Sequence, residues 1–203
     1  MKKVRKKRPP RTTRTSTKPR SWARSSRSRP KKKRSSEPRR PARAAYLGLG
    51  SNLGNRRANL IEALAQIARL ARIRRVSSFY RSEPVGYARQ PFFYNAVARI
   101  AWPGTARSLL SRVKGIERRL GRVPTFRNGP RVIDIDVLDL GGAVERGADP
   151  ILPHPALPER RFVLAPLAEI APAWRHPVSG LTARQMLAKL PRRPRVRRLR
   201  RAG

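Results

Sequence analysis

Gly129-Pro130-Arg131-Val132-Ile133-Asp134-Ile135-Asp136-Val137-Leu138-Asp139 is the stretch whose reading decides the fold. Side chains alternate across a strand, so Ile133, Ile135 and Val137 share one face. Val132, Asp134, Asp136 and Leu138 share the other. That places two carboxylates side by side, about 6–7 Å apart at their Cα atoms. Asp is depleted in strands, and like charges so close repel unless positive charge lies between them. An edge strand with one solvated face would accommodate them. So would Mg²⁺ ions bridged by carboxylate and polyphosphate oxygens, since hard oxygen ligands suit that metal. Arg122, Arg127 and Arg131 lie just upstream, and this mixture of cations and acids suits a site that handles phosphate.

Working outward, the 203 residues carry 50 Lys and Arg against 11 acids, a formal net charge of +39. The excess is uneven. Residues 1–43 hold 20 basic residues and one acid, and 191–203 hold seven arginines and no acid. Between them, 44–190 holds 23 basic and 10 acidic residues, a length ample for a buried interior. The absence of cysteine excludes disulfides and thiolate metal sites. No apolar run approaches the roughly 18–20 residues that would span a bilayer.

Residues 1–43 contain almost nothing apolar except Val4 and Trp22, so they are expected to be a disordered basic tail. Three roles are open to it: non-specific binding of nucleic acid or another polyanion, organelle targeting of an otherwise cytoplasmic protein, or none. Ala44 to Gly50 reads as a buried strand, and Ser51 to Asn55 as a turn. Residues 56–71 place Leu60, Ile61, Leu64, Ile67, Ala68 and Ala71 at helical spacing. A second strand is predicted over 73–82 and a third over 92–102. Thr105 caps a helix carrying Leu109, Val113, Ile116 and Glu117. The acidic strand follows. This β-α-β-β-α-β order predicts an α+β, ferredoxin-like antiparallel sheet with two helices on one face. Beyond it, a helical stretch ending in Phe162–Leu167, a helix near 182–189 and a basic tail over 191–203 are expected. His176 reads as a surface residue. Gly48-x-Gly50 with Gly54 is a weak echo of phosphate loops at the wrong spacing.

Several motifs then combine. They are Gly50-Ser51-Asn52-Leu53-Gly54, Ser77-Ser78-Phe79-Tyr80-Arg81-Ser82-Glu83-Pro84, Phe93-Tyr94-Asn95-Ala96, Gly121-Arg122, Gly129-Pro130-Arg131-x-x-Asp134-x-Asp136, Pro153-His154-Pro155 and Arg160-x-Phe162-Val163-Leu164-x-Pro166-Leu167. In this order and spacing, 44–190 resembles 6-hydroxymethyl-7,8-dihydropterin pyrophosphokinase (HPPK), an enzyme family of folate biosynthesis. The resemblance implies a ferredoxin-like fold and transfer of pyrophosphate from ATP to the pterin's hydroxymethyl group, with release of AMP.

It also implies roles. Asp134 and Asp136 match the ligands of two Mg²⁺ ions, and Arg122 and Arg131 match catalytic arginines on the phosphates. Ser82, Val85, Phe93, Asn95 and Phe162 match the pterin slot, with Phe93 and Phe162 sandwiching the ring. Lys114, Glu117, Arg127, His154 and Arg160 match ATP contacts. Without the resemblance, the two Phe would read as core and the arginines as solvated charge. Pro124 and Asn128 depart from a frequent arginine and a frequent tryptophan, and are expected to alter how that loop closes. A monomer is expected. A nucleic-acid-binding module is the rival reading, but the basic-aromatic strand signature of RNA-recognition sheets is missing. An enzyme core with a polyanion-binding tail combines the two.

Overall fold

The computed structural model describes residues 41–200 apart from Arg127 and Ala148, so the tail expected over 1–43 lies almost wholly outside the described residues. The chain runs β1 (Arg43–Ser51), α1 (Arg56–Leu70), β2 (Arg72–Val76), β3 (Tyr80–Ser82), β4 (Phe93–Trp102), α2 (Ala106–Arg119) and β5 (Asp134–Leu140). It continues through α3 (Arg161–Ile170), α4 (Ala183–Lys189) and β6 (Val196–Arg198). The strands form one antiparallel sheet in the order β5-β1-β4-β3-β6, with β2 also pairing β4. The split βαβ arrangement is therefore present, with the two central strands β1 and β4 carrying the longest ladder.

Local chemistry sets the boundaries. Asn55 caps α1 by accepting from the Ala58 amide, and Thr105 caps α2 by accepting from the Ser108 amide. The single strand expected over 73–82 is two. Ser77 turns its hydroxyl into the ladder, where Ser77 Oγ accepts from the Val97 amide at 3.0 Å, and pairing resumes only at Tyr80. A side chain that replaces a backbone partner ends a strand without any glycine or proline to mark the break.

Alternation assigns the faces as the sequence predicts. Ala45, Leu47 and Leu49 of β1, with Ile135 and Val137 of β5, pack on Leu60 and Ile67 of α1 and Leu109, Val113 and Ile116 of α2. Ile61 falls outside this stripe and is exposed. The opposite face is not left to solvent. Tyr46, Val97 and Leu138 pack there against Leu164 and Leu167 of α3 and Met186 of α4. The expected two-layer domain is thus completed by a third layer. His176, expected at the surface, is buried in this layer, where its Nδ1 accepts from the Val178 and Ser179 amides and its ring meets Trp174 edge-on. The run after 190, expected as a tail, returns to the sheet: β6 pairs Val196 with Ser82 and Arg198 with Tyr80.

The strand β5 carries a bulge. Tyr46 pairs with Asp139 but Leu47 with Val137, so Leu138 is an extra residue. Leu138 and Asp139 consequently both face α3 and α4, where Trp174 Nε1 and the Gly142 amide approach Asp139 Oδ2 at 3.4 and 3.3 Å. Burial pushes the Asp139 carboxyl up, against these hydrogen bonds.

Candidate active site

The third layer covers only part of its sheet face. Where α3 begins, a cavity of about 270 Å³ opens over β1, β4 and β5. Twelve of the fourteen side chains singled out from the sequence line it. The exceptions are Arg127, which lies outside the described residues, and Glu117, which is buried beneath the wall.

The floor is β1. Gly50 lies between Asp134 of β5 and Asn95 of β4, and Gly48 between Asp136 and Val97. Gly48-x-Gly50 is therefore no phosphate loop but two positions on one face of a central strand. Without side chains there, the carboxylates on one side and the amide on the other border a common space. A Cβ on Gly50 would stand 3.3 Å from Asn95 Oδ1. Gly50→Val is expected to weaken binding of a planar ligand roughly 10–100-fold through overpacking, while the nucleotide end changes little; titration of each ligand separately checks this.

On the acidic side, Asp134 is ringed by cations. Arg122 Nη1 donates to its Oδ1, Arg131 Nε stands 3.3 Å from Oδ2, and Lys114 Nζ lies 3.8 Å from Oδ1. Burial works to raise this carboxyl, but Arg131, Arg122 and Lys114 outweigh it and hold it below the usual carboxylate range. Asp136 meets one partner, Arg160 Nη1 at 3.4 Å. Glu117 does not line the cavity. Its Oε1 accepts from Lys114 Nζ at 2.8 Å, Arg122 Nη1 at 2.7 Å and the Ile135 amide at 2.6 Å. From beneath the wall it ties together two cations that line the cavity.

On the other side, Asn95 Nδ2 donates to Ser82 Oγ at 2.9 Å, which fixes the amide's orientation and leaves its oxygen over Gly50. Phe93 and Phe162 stand on β4 and at the start of α3, and Val85 is exposed at the rim. Arg131 lies over the Phe93 ring and Arg160 over the Phe162 ring, at 5.3 and 5.8 Å from the centroids. His154 is held by its amide, which donates to Leu138 O, and its Nδ1 accepts from the Ala156 amide at 3.2 Å. Burial lowers its basicity, so the ring is neutral with the proton on Nε2.

Sequence reasoning missed the residues that hold the loops. Asn52 Oδ1 accepts from the Arg131 amide at 2.7 Å, and its own amide donates to Arg131 O. Asn52 Nδ2 donates to Gln90 Oε1 at 2.9 Å, and Gln90 Nε2 donates to Asn128 O. The loops flanking the cavity are thus tied through one asparagine of the first turn. Its place in a motif gave the only signal. Glu83 also lines the cavity unforeseen.

Comparison with known proteins agrees with this geometry. Residues 46–172 match the family model described as 7,8-dihydro-6-hydroxymethylpterin-pyrophosphokinase (HPPK). The 2-amino-4-hydroxy-6-hydroxymethyldihydropteridine pyrophosphokinase of Methylorubrum extorquens is 47% identical over 148 residues, 72% of this chain and 92% of that protein. The folic acid synthesis protein of Dictyostelium discoideum is 40% identical over 146 residues, 72% of this chain. The chain spans only 22% of that longer protein, and 20% of the corresponding Pneumocystis carinii protein. Among solved structures, wild-type Plasmodium falciparum HPPK-DHPS with pterin and p-hydroxybenzoate superposes with a TM-score of 0.58 at 15% identity, covering 75% of this chain and 44% of that one. That likeness speaks to the fold.

Proposed function

The chain belongs to the 7,8-dihydro-6-hydroxymethylpterin-pyrophosphokinase family, and on that premise we propose that it transfers the pyrophosphoryl group of ATP to 6-hydroxymethyl-7,8-dihydropterin. In this reaction the hydroxymethyl oxygen bonds to the β-phosphorus. The bond from that phosphorus to the α–β bridging oxygen breaks, AMP leaves, and the hydroxyl proton is released. The observation that carries the reading is the floor of β1. Two glycines separate a carboxylate pair that meets Lys114, Arg122, Arg131 and Arg160 from an oriented amide, and Phe93 and Phe162 line the same cavity.

Phe93 and Phe162 offer faces for a flat ring, and Asn95 offers an acceptor to its edge. Lys114, Arg122, Arg131 and Arg160 would grip the phosphates, where guanidinium contacts add geometry as well as charge. His154 would donate from Nε2. In transfer of this kind, positioning and electrostatics carry most of the catalysis and no protein nucleophile is required. Asp134 and Asp136 fit Mg²⁺ by the chemistry of their donors, hard carboxylate oxygens two residues apart on one face. Among the described residues no group of three or more His, Cys, Asp or Glu is gathered, so phosphate oxygens would complete the coordination of the two ions. When bound, the ions would supply positive charge where negative charge accumulates on the phosphate oxygens. Among the described residues no helix is long and apolar enough to cross a membrane.

The test is AMP formation from ATP with Mg²⁺, measured with and without the pterin. AMP appearing only when both pterin and Mg²⁺ are present is the expected result. No AMP at saturating concentrations of all three would overturn the proposal.

A further inference from the structure

The basic segment after Leu190 does more than end the chain. The strand β3 has three residues, and its Ser82 and the following Glu83 line the pterin end of the cavity. On one side β3 pairs with β4, and on the other, among the described residues, only with β6. Six bonds from the C-terminal segment hold this region beyond the strand ladder itself. The Glu83 amide donates to Arg195 O at 3.1 Å, and the Arg195 amide donates to Glu83 Oε2 at 2.9 Å. The Leu199 amide donates to Phe79 O at 2.8 Å, closing the other end of the pairing. Arg198 Nε donates to Ser78 Oγ at 2.8 Å, and Arg198 Nη2 lies 3.1 Å from Glu169 Oε1. Arg161 Nη1 donates to Leu190 O at 3.2 Å, where the segment departs.

Glu169 makes this more than edge repair. It sits on α3, the helix whose first turn carries Phe162, and it also accepts from the Ser78 amide, Ser78 Oγ and the Tyr80 hydroxyl. The Tyr80 hydroxyl is pushed up to about 12 by burial and by its bond to Glu169, so it remains a donor. Arg198 therefore joins β3, the wall with Ser82, to α3, the wall with Phe162. We propose that β6 is a positioning element for the pterin slot: it sets the separation of the two walls, through Arg198 on Glu169 and through the reciprocal pairing of Glu83 with Arg195. Without β6, a three-residue strand would form the sheet edge, and so short an edge frays readily. A wall displaced by an ångström loses much of its purchase on a rigid flat ligand.

The inference rests on the reaction proposed above, and the test separates the two. The full chain, a chain ending at Leu190, and the full chain with Arg198→Ala are compared for KM of the pterin, KM of ATP and kcat. Circular dichroism at the assay temperature confirms the folded state. For both variants the pterin KM is expected to rise about tenfold, with the ATP KM and kcat within about twofold. If the shortened chain does not fold, Arg198→Ala alone decides the matter. A lowered melting temperature with unchanged pterin KM would mark a merely structural strand and overturn the inference alone. A full chain that forms no AMP would overturn the functional reading, and this inference with it.

Discussion

Asp136→Ala is expected to lower kcat at least about a thousandfold, a loss of roughly 4 kcal/mol of transition-state stabilisation, with the fold intact. The geometry makes this pair of outcomes separable. Asp136 is part-exposed and, among the described residues, pairs with a single cation, Arg160 at 3.4 Å. Its removal leaves one guanidinium that can turn to solvent, so the melting temperature is expected to stay within about 2 °C. Asp134 would be the poorer choice, because three cations converge on it and their loss of a partner would confuse chemistry with stability. AMP formation and thermal unfolding, measured on one preparation, check both halves. Turnover within tenfold of the parent would refute the carboxylate's assigned place.

Glu117→Ala is expected to reverse the balance and cost stability first. The side chain is 4% exposed, whereas Lys114 and Arg122 are 33% and 27% exposed. Breaking a fully buried pair costs about 3–5 kcal/mol. The partial hydration of both cations reduces that share, and the stranded Ile135 amide adds about 1–3 kcal/mol. The net expectation is about 3 kcal/mol of lost stability in a urea titration. The surviving folded enzyme should show a reduced kcat, because Arg122 and Lys114 lose their common anchor. Glu117→Gln keeps an acceptor for the Ile135 amide and should recover part of the stability. If Glu117→Ala proved as stable as the parent, the anchoring role would fall.

Much of this was legible in the chain itself. Period-two alternation along β5 correctly set Ile135 and Val137 on the face opposite the two acids, because a pleated strand between two covered faces has no other way to arrange them. The cap Thr105, the strand patterns and the helical stripes gave the ferredoxin-like order. What escaped has a common cause: hydrogen bonds between residues distant in sequence. Ser77 breaks a strand through a bond to Val97, twenty positions away. Asn52 holds Arg131 across 79 positions, and Arg195 holds Glu83 across 112. Charge composition also misled at the C-terminus. A run of arginines reads as solvated, yet in this three-residue strand the backbone pairs while Arg197 and Arg198 stay exposed. The glycines of β1 were seen but misread, since a missing side chain announces neither its face nor its neighbours.

The extra residue in β5 has a consequence for how this strand can vary. It divides the strand into two segments that are out of phase, one serving chemistry and one serving the hydrophobic layers. Were the pairing continuous, the parity that sends Asp134 and Asp136 toward the open end would send Asp139 into the layer beneath α1 and α2, away from Trp174. The irregularity absorbs that mismatch. Drift in the distal half of β5 is thereby insulated from the acids that face the cavity, much as a slip joint isolates one length of pipe from strain in the next.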